Sequence, residues 1–368
     1  MHTSINTTMA LFFSAMRYTG ICCLIFLLSN CSSEGVQRFQ EVPTAFGRLN
    51  YVAVICDKDV WEGPIGDSIR FYYQAAYPIL PQPEPIFDLR HVSIDDLRKE
   101  PVIRELRHFL VIANLGDETS PTARMIREDI GAEKIRSVQE GDGMGSHIVR
   151  NKWAKNQSLF YVYAFDEEKL LQNIVASADV VIKNIRQRDS KMIEATTFFN
   201  GENESIEAEV RTKMKVDMRI PEDFFIALNE ADVMWLRRET PDVSANILLQ
   251  RVPYTDRSQL SAENIKAIRD SIGRKYVSSS LPGTYMRIND VDLPCFVEVT
   301  TLNGDYALEA RGIWDIVNDF MGGPFVSYLV YDPAKADLLF LDGFIHAPGK
   351  DKRELMQQIE FILQTAKY

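Results

Sequence analysis

Residues 296–314 read FVEVTTL-NG-DYALEARGIW, and this stretch decides the fold class. Phe296–Leu302 and Asp305–Trp314 are two β-prone runs, and Asn303-Gly304 between them is the preferred type I′ hairpin turn. Two more runs, Phe325–Tyr331 and Leu338–Ile345, extend the hairpin into an antiparallel meander. A helix after them opens with a capping-box spacing, Asp351 to Glu354, and carries Leu355, Ile359, Ile362 and Leu363 on one face. Antiparallel strands covered by a helix make the class α+β.

Upstream, Val233–Arg238 and Asn246–Val252 read as strands, and a helix capped by Ser261 turns Ile265, Ile268 and Ile272 toward a core. Met214–Ile220 reads as the opening strand of this half, with a short helix after Pro221. The polar segment Phe199–Glu209 reads as an interdomain turn. In the first half, Tyr51–Cys56, Phe87–Val92 and Phe109–Leu115 are strand-like. Gly66–Ala76 predicts a helix, as does a segment with Pro101 in its first turn and Ile103, Leu106 and Leu110 on one face. Pro81–Pro85 is a stiff extended linker, because three prolines in five residues exclude a helix. Ser120–Gln139 predicts helix broken at Gly131, and His147–Lys152 with Ser158–Phe165 a hairpin. Asp166 then caps a long helix with a broad apolar stripe from Leu170 to Ile185. The expectation is two α+β domains, residues 47–195 and 208–368, each with antiparallel strands covered by helices.

The two halves share a sequence echo. Ala154-Lys155 and Leu159-Phe160 recur as Ala334-Lys335 and Leu339-Phe340, each set in a hairpin that leads into a helix. Either the halves are a distant duplication, or a common hairpin-plus-helix unit recurs with four letters matched by chance. Duplication is slightly favoured.

The chain opens with a different signal. Met16–Glu34 reads MRYTGICCLIFLLSNCSSE: one charge at Arg17, an apolar run from Ile21 to Leu28, then Ser29-Asn30-Cys31. The run is too short to span a bilayer and has the layout of a secretory signal. A cysteine at this point predicts a lipoprotein signal: residues 1–30 removed, Cys31 carrying diacylglycerol, and residues 31–46 a tether. Asn30 stands where Gly, Ala or Ser is commonest, and Met16 competes with Met1 as the start. The alternative is a secretory signal without lipid, or an N-terminal anchor helix.

With 46% hydrophobic and 25% charged residues the chain is globular rather than disordered. Its net charge of −11, with no basic run, argues against nucleic acid as a partner. Beyond Cys31 the only cysteines are Cys56 and Cys295, both in apolar surroundings and expected to be free buried thiols.

Catalytic signals are weak. Gly66-Asp67-Ser68-Ile69 invites comparison with serine esterases, with His346 as the late base, but Asp342 to His346 is one residue too wide and the block does not follow a strand directly. Asp67-Ser68 reads better as a helix N-cap. The histidines are scattered and the acidic clusters sit at helix starts or lack calcium-loop spacing, so neither metal nor cofactor is expected. The stretch that stands out is Arg311, Trp314, Met321, Gly322, Gly323, Pro324 and Phe325. A Gly-Gly-Pro bend lined by Met and Phe, beside a Trp and an Arg, could form an apolar ligand or partner surface with one cation. The competing reading, favoured for a large aromatic, is a tight turn with Trp314 in the core.

These residues also carry a resemblance. The signal segment, RGIWDIVNDFMGGPFVSY (Arg311–Tyr328) and DGFIHAPGKDKRELMQQIE (Asp342–Glu360) resemble a family of uncharacterised predicted lipoproteins of Bacteroidota. The resemblance runs over most of the chain after Cys31 and implies an exported, lipid-anchored protein in an outer-membrane setting. It supplies no activity and no catalytic residues. The expected role is therefore a non-enzymatic envelope lipoprotein that binds an envelope protein or other component. The alternatives are a hydrolase using Asp67, Ser68 or His346 and a small-ligand or lipid carrier using the Trp314–Phe325 stretch.

Overall fold

The computed structural model describes residues 42–141 and 143–368. The expected signal, the lipid site Cys31 and most of the tether lie outside the described residues. Thr44–Tyr368 is one compact unit built on two sheets, and the chain is α+β in two domains.

The first sheet has strands β1 (Tyr51–Ile55), β2 (Asp88–Val92), β3 (His108–Asn114), β4 (Ser146–Arg150) and β5 (Ser158–Ala164), in the order β2-β1-β3-β5-β4. Its helices are α1 (Lys58–Glu62), α2 (Pro64–Tyr73), α3 (Ile94–Lys99), α4 (Pro121–Ile130), α5 (Ala132–Gln139) and the long α6 (Glu167–Thr197). The second domain opens with α7 (Glu204–Met214). Strands β6 (Phe225–Asn229), β7 (Val233–Glu239) and β8 (Ser244–Pro253) follow, then α8 (Ala262–Tyr276) and β9 (Tyr285–Ile288). The meander is β10 (Phe296–Leu302), β11 (Asp305–Val317), β12 (Gly322–Asp332) and β13 (Asp337–His346), closed by α9 (Arg353–Gln364). The second sheet runs β10-β11-β12-β13-β8-β7-β6, with β9 also on β11, and every pairing in it is antiparallel.

The decisive hairpin forms as expected: Leu302 pairs Asp305, and Asn303 (φ 52°) and Gly304 (φ 95°) supply the two positive φ angles of a type I′ turn. Asp166 caps α6 by accepting the Lys169 amide at 2.8 Å, and Ser261 caps α8.

Three hydrophobic clusters order the layers. One face of the first sheet packs under α3, α4 and α5 around Ile126, Phe109 and Tyr161. A central cluster joins both domains, from Val52, Phe160 and Ile174 to Leu339, Ile359 and Leu363. It is filled by α2 and α6 from one sheet and α7 and α9 from the other. The outer face of the second sheet lies under α8 around Ile265, Trp314, Phe325 and Phe340. All thirteen of these side chains are at most 3% exposed, the burial expected of an apolar core.

The sequence reading is corrected in several places. Antiparallel strands were expected in both domains, but in the first β1, β2, β3 and β5 run parallel and only β4–β5 is antiparallel. YVAVI and FLVIAN are continuous apolar runs, as strands buried on both faces require, and helical crossovers connect them. The two sheets therefore have different topologies, and the echo at residues 154–160 and 334–340 reaches no further than the hairpin-plus-helix unit. Leu110 lies on β3, and Pro101–Glu105 is a 3₁₀ turn rather than the first turn of a helix. The polar segment 199–209 starts α7, capped by Asn203. Lys215 ends α7 in the left-handed region, residues 216–220 form no strand and bridge Lys367 only at Asp217, and β6 stands where a helix after Pro221 was expected. Gly322-Gly323-Pro324 is not a bend but the start of β12, paired with Asp315, Trp314 and Ile313.

Candidate functional site

A cavity of about 170 Å³ opens between α6 and α9, where the two domains meet. Helix α6 contributes Arg186, Asp189, Ser190 and Ile193; α9 contributes Gln357, Glu360, Phe361 and Gln364; Asn50 and Tyr77 complete the wall. Its polar floor is built from long-range contacts. Asn50 and Gln357 exchange amide hydrogen bonds, each at 2.9 Å. The buried Asp189 carboxylate accepts from Arg107 and His108 at 2.9 Å and from the Asn50 amide at 3.2 Å.

Glu360 is the second anchor. It accepts the Tyr77 hydroxyl at 2.8 Å and Arg311 Nη1 at 2.6 Å, while Arg311 Nε also pairs with Glu309. Burial works against the Arg311 charge, but Glu360 and Glu309 outweigh it and hold the guanidinium protonated. Burial, with Glu360 close by, pushes the Tyr77 hydroxyl well above its usual range. Both acids are thus paired with arginines, Arg311 being shared between Glu360 and Glu309, and the cleft presents hydrogen-bonding groups over a paired floor. The exception is Arg186: it is exposed at the mouth, its guanidinium 5.9 Å from the Tyr77 ring, and no ion pair to it occurs among the described residues.

The other natural position for a ligand is filled by the protein itself. In a parallel sheet, ligands bind beyond the carboxyl ends of the strands where the strand order reverses, here between β1 and β3. Asp57, following β1, accepts hydrogen bonds from Thr122 at 2.7 Å and from the Ser120 hydroxyl, at the N-terminus of α4. That carboxylate occupies the place an anionic ligand would take at a helix N-terminus. The adjoining crevice carries Asp59, Asp117 and Glu167, which repel phosphate.

The residues singled out from sequence fall as follows. Arg311 reaches the floor of the cleft through Glu360. Trp314 (3% exposed) and Phe325 (1%) lie in the core on the other face of the sheet, with Trp314 edge-on to Phe344 at 5.5 Å. Gly323 and Pro324 are buried in β12, and Met321 and Gly322 are half-buried. The seven residues therefore form no single open surface. Ser68 is not an N-cap: it lies inside α2, donates to the Pro64 carbonyl at 3.1 Å, and neighbours an exposed Asp67–Arg70 pair at 2.7 Å. His346 sits at the end of β13 with Nδ1 3.1 Å from the Gly322 carbonyl. No base meets Ser68 among the described residues. Cys56 and Cys295 are free; Cys56 is buried, and burial with Asp57 beside it pushes its thiol up to about 12. Cys295 is only half-buried.

Sequence reasoning missed Arg186, Asp189, Tyr77, Gln357 and Glu360. One signal was available. The buried stripe Ile174, Ala178, Val181, Ile185 continues at helical spacing to Asp189, so a carboxylate stands where the next apolar residue was due.

Two family models meet on this chain. Residues 45–197 match the one described as Domain of unknown function (DUF8532), and residues 203–365 the one described as Domain of unknown function (DUF4837). The division falls between α6 and α7, so the cleft is built from both matched regions. No curated protein matches the sequence. Among solved structures the chain is similar to LpqN of Mycobacterium tuberculosis, a protein involved in cell envelope biogenesis. The match has 14% identity and a TM-score of 0.27, covering 41% of this chain and 82% of that one. A likeness at that score carries no argument about this chain.

Proposed function

We propose that this chain is an exported lipoprotein, anchored to the cell envelope through Cys31, that acts by binding an envelope component in the cleft between α6 and α9. The anchor reading rests on the charged, apolar and cysteine order of residues 16–34, and an outer-membrane setting on the lipoprotein resemblance. The observation that carries the binding reading is Arg186, a guanidinium without an ion pair among the described residues, at the lip of a cleft whose acids are held by other arginines. A guanidinium presents a fork of donors suited to carboxylate or phosphate, so the partner group is an acidic one.

Binding rather than catalysis is favoured because the nucleophile-type side chains in view are engaged: Ser68 and the cleft's own Ser190 each donate to a helix carbonyl, and Cys56 lies in the core. The test is co-purification from membranes of the native chain, Cys31→Ala and Arg186→Glu. The expected result is that Cys31→Ala leaves the membrane fraction. Arg186→Glu should stay membrane-bound and folded but lose the co-purifying component. A component retained at full yield by Arg186→Glu overturns the cleft; membrane association unchanged by Cys31→Ala overturns the anchor.

A further inference from the structure

Both sheets leave edges, and of the five strands with a single neighbour, β2, β4, β6, β9 and β10, four are protected; β9 is only four residues long and carries Arg287. β2 carries Asp88 and Arg90, and β4 carries His147 and Arg150 within five residues each. β6 is interrupted by a bulge between Ile226 and Leu228. Charges, shortness and bulges are the usual means of keeping an edge from pairing. Strand β10, FVEVTTL, has the least of this protection: seven residues, a single charge at Glu298, no lysine, no proline and no bulge against β11.

Its hydrogen-bonding groups follow from the turn. Leu302 and Asp305 close a two-residue hairpin and so exchange their backbone hydrogen bonds. In an antiparallel ladder such pairs alternate, so Thr300, Glu298 and Phe296 also face β11. The amides and carbonyls of Val297, Val299 and Thr301 point outward, and no hydrogen bond to them occurs among the described residues. Val299 is 66% exposed and Phe296 55%.

We propose that β10 pairs antiparallel with β10 of a second copy of this chain, about a two-fold axis at Val299. Val299 is the middle of the three outward-facing residues, so the strand is self-complementary about it, and the charge pattern favours that register. Outward groups must meet outward groups, so Val299 faces the partner's Val299 and Val297 faces Thr301. In this register Glu298 falls opposite Thr300 and Phe296 opposite Leu302. A shift to Val297 against Val299 would set Glu298 against Glu298, and like charges directly opposite are destabilising. The centred register is also the one that pairs all seven residues, giving an isologous interface and a continuous sheet through the dimer.

The test is the protein mass of the full chain in detergent, by light scattering on a sizing column, at about 1 and 100 µM. The comparison is with Val299→Pro, which removes an outward donor, and Val299→Lys, which changes only an exposed side chain. The native chain is expected at twice the chain mass at the higher concentration, and both variants at the single mass with unchanged circular dichroism. A native chain of single mass at both concentrations overturns the proposal, as does a dimer that survives in both variants. Should Val299→Pro misfold, Val299→Lys alone decides.

Discussion

The carboxylate of Glu84 accepts the backbone amide of Arg353 at 3.0 Å and that of Lys352 at 2.6 Å, so the last helix is capped from the opposite domain. The Asp351–Glu354 spacing suggested a local capping box, but Lys352 is the N-cap residue and makes no side-chain cap. The proline-rich segment around Glu84 is thus a strap: Tyr77 donates its amide to the Glu84 carbonyl, and Arg353 holds Asp88 at 2.9 Å. Replacing Glu84 by Ala should cost about 1–2 kcal/mol, the usual value of a helix N-cap. Urea unfolding measures this, and an unchanged midpoint would show that the strap contributes nothing.

Arg269 and Asp342 form a fully buried pair at 3.1 Å between α8 and the second sheet. Ser327 donates to the same carboxylate at 2.7 Å, and the guanidinium lies 3.6 Å from the Phe325 ring centroid. Burial pushes the Asp342 carboxyl up against the opposing pull of Arg269 and Ser327. Arg269→Ala strands that carboxylate and should cost about 3–5 kcal/mol. The double variant Arg269→Met, Asp342→Leu should be less destabilised than Arg269→Ala; equal losses would mean that packing, not charge, governs the site.

Asp332 sets part of the acid response. Burial disfavours its charge, but Lys335 at 2.7 Å and Arg251 at 2.9 Å outweigh that and hold the carboxyl below its ordinary 3.8. A folded value below the unfolded one means that the stabilisation is complete well above pH 3.8. It is lost as pH falls from there through the folded value. The gap in urea midpoint between the native chain and Asp332→Asn should therefore be wide at pH 7 and narrow at pH 3. A gap that widens on acidification would reverse the assignment.

Gly323 tests the packing of β12. A Cβ there would stand 1.9 Å from the Ile345 carbonyl oxygen, which is backbone of β13 and cannot swing away. Gly323→Ala should cost about 1–3 kcal/mol or more through forced displacement of the strands. Thermal unfolding reads the loss; a variant as stable as the native chain would mean that the sheet opens freely at this point.

How much of this was legible depends on distance along the chain. The Asn303-Gly304 hairpin, the stripes of α6 and α8 and their caps were readable because period 2, period 3.6 and positive-φ turn residues are set by near neighbours. The site was mostly hidden. Of the seven residues singled out from sequence, Arg311 alone is connected to the cleft, and only through Glu360, which nothing local marks as its partner.

The sequence by itself determined the long helices with their caps, the meander of the second sheet and the N-terminal pattern that predicts export. Tertiary structure alone decided that β1, β2, β3 and β5 run parallel, that Trp314 packs under α8, and that α6 and α9 enclose a polar cleft. The reason is the range of the interactions. Strand direction is chosen by which apolar faces can be covered together. The Asn50–Gln357 contact joins residues 307 positions apart, so no local pattern could encode it.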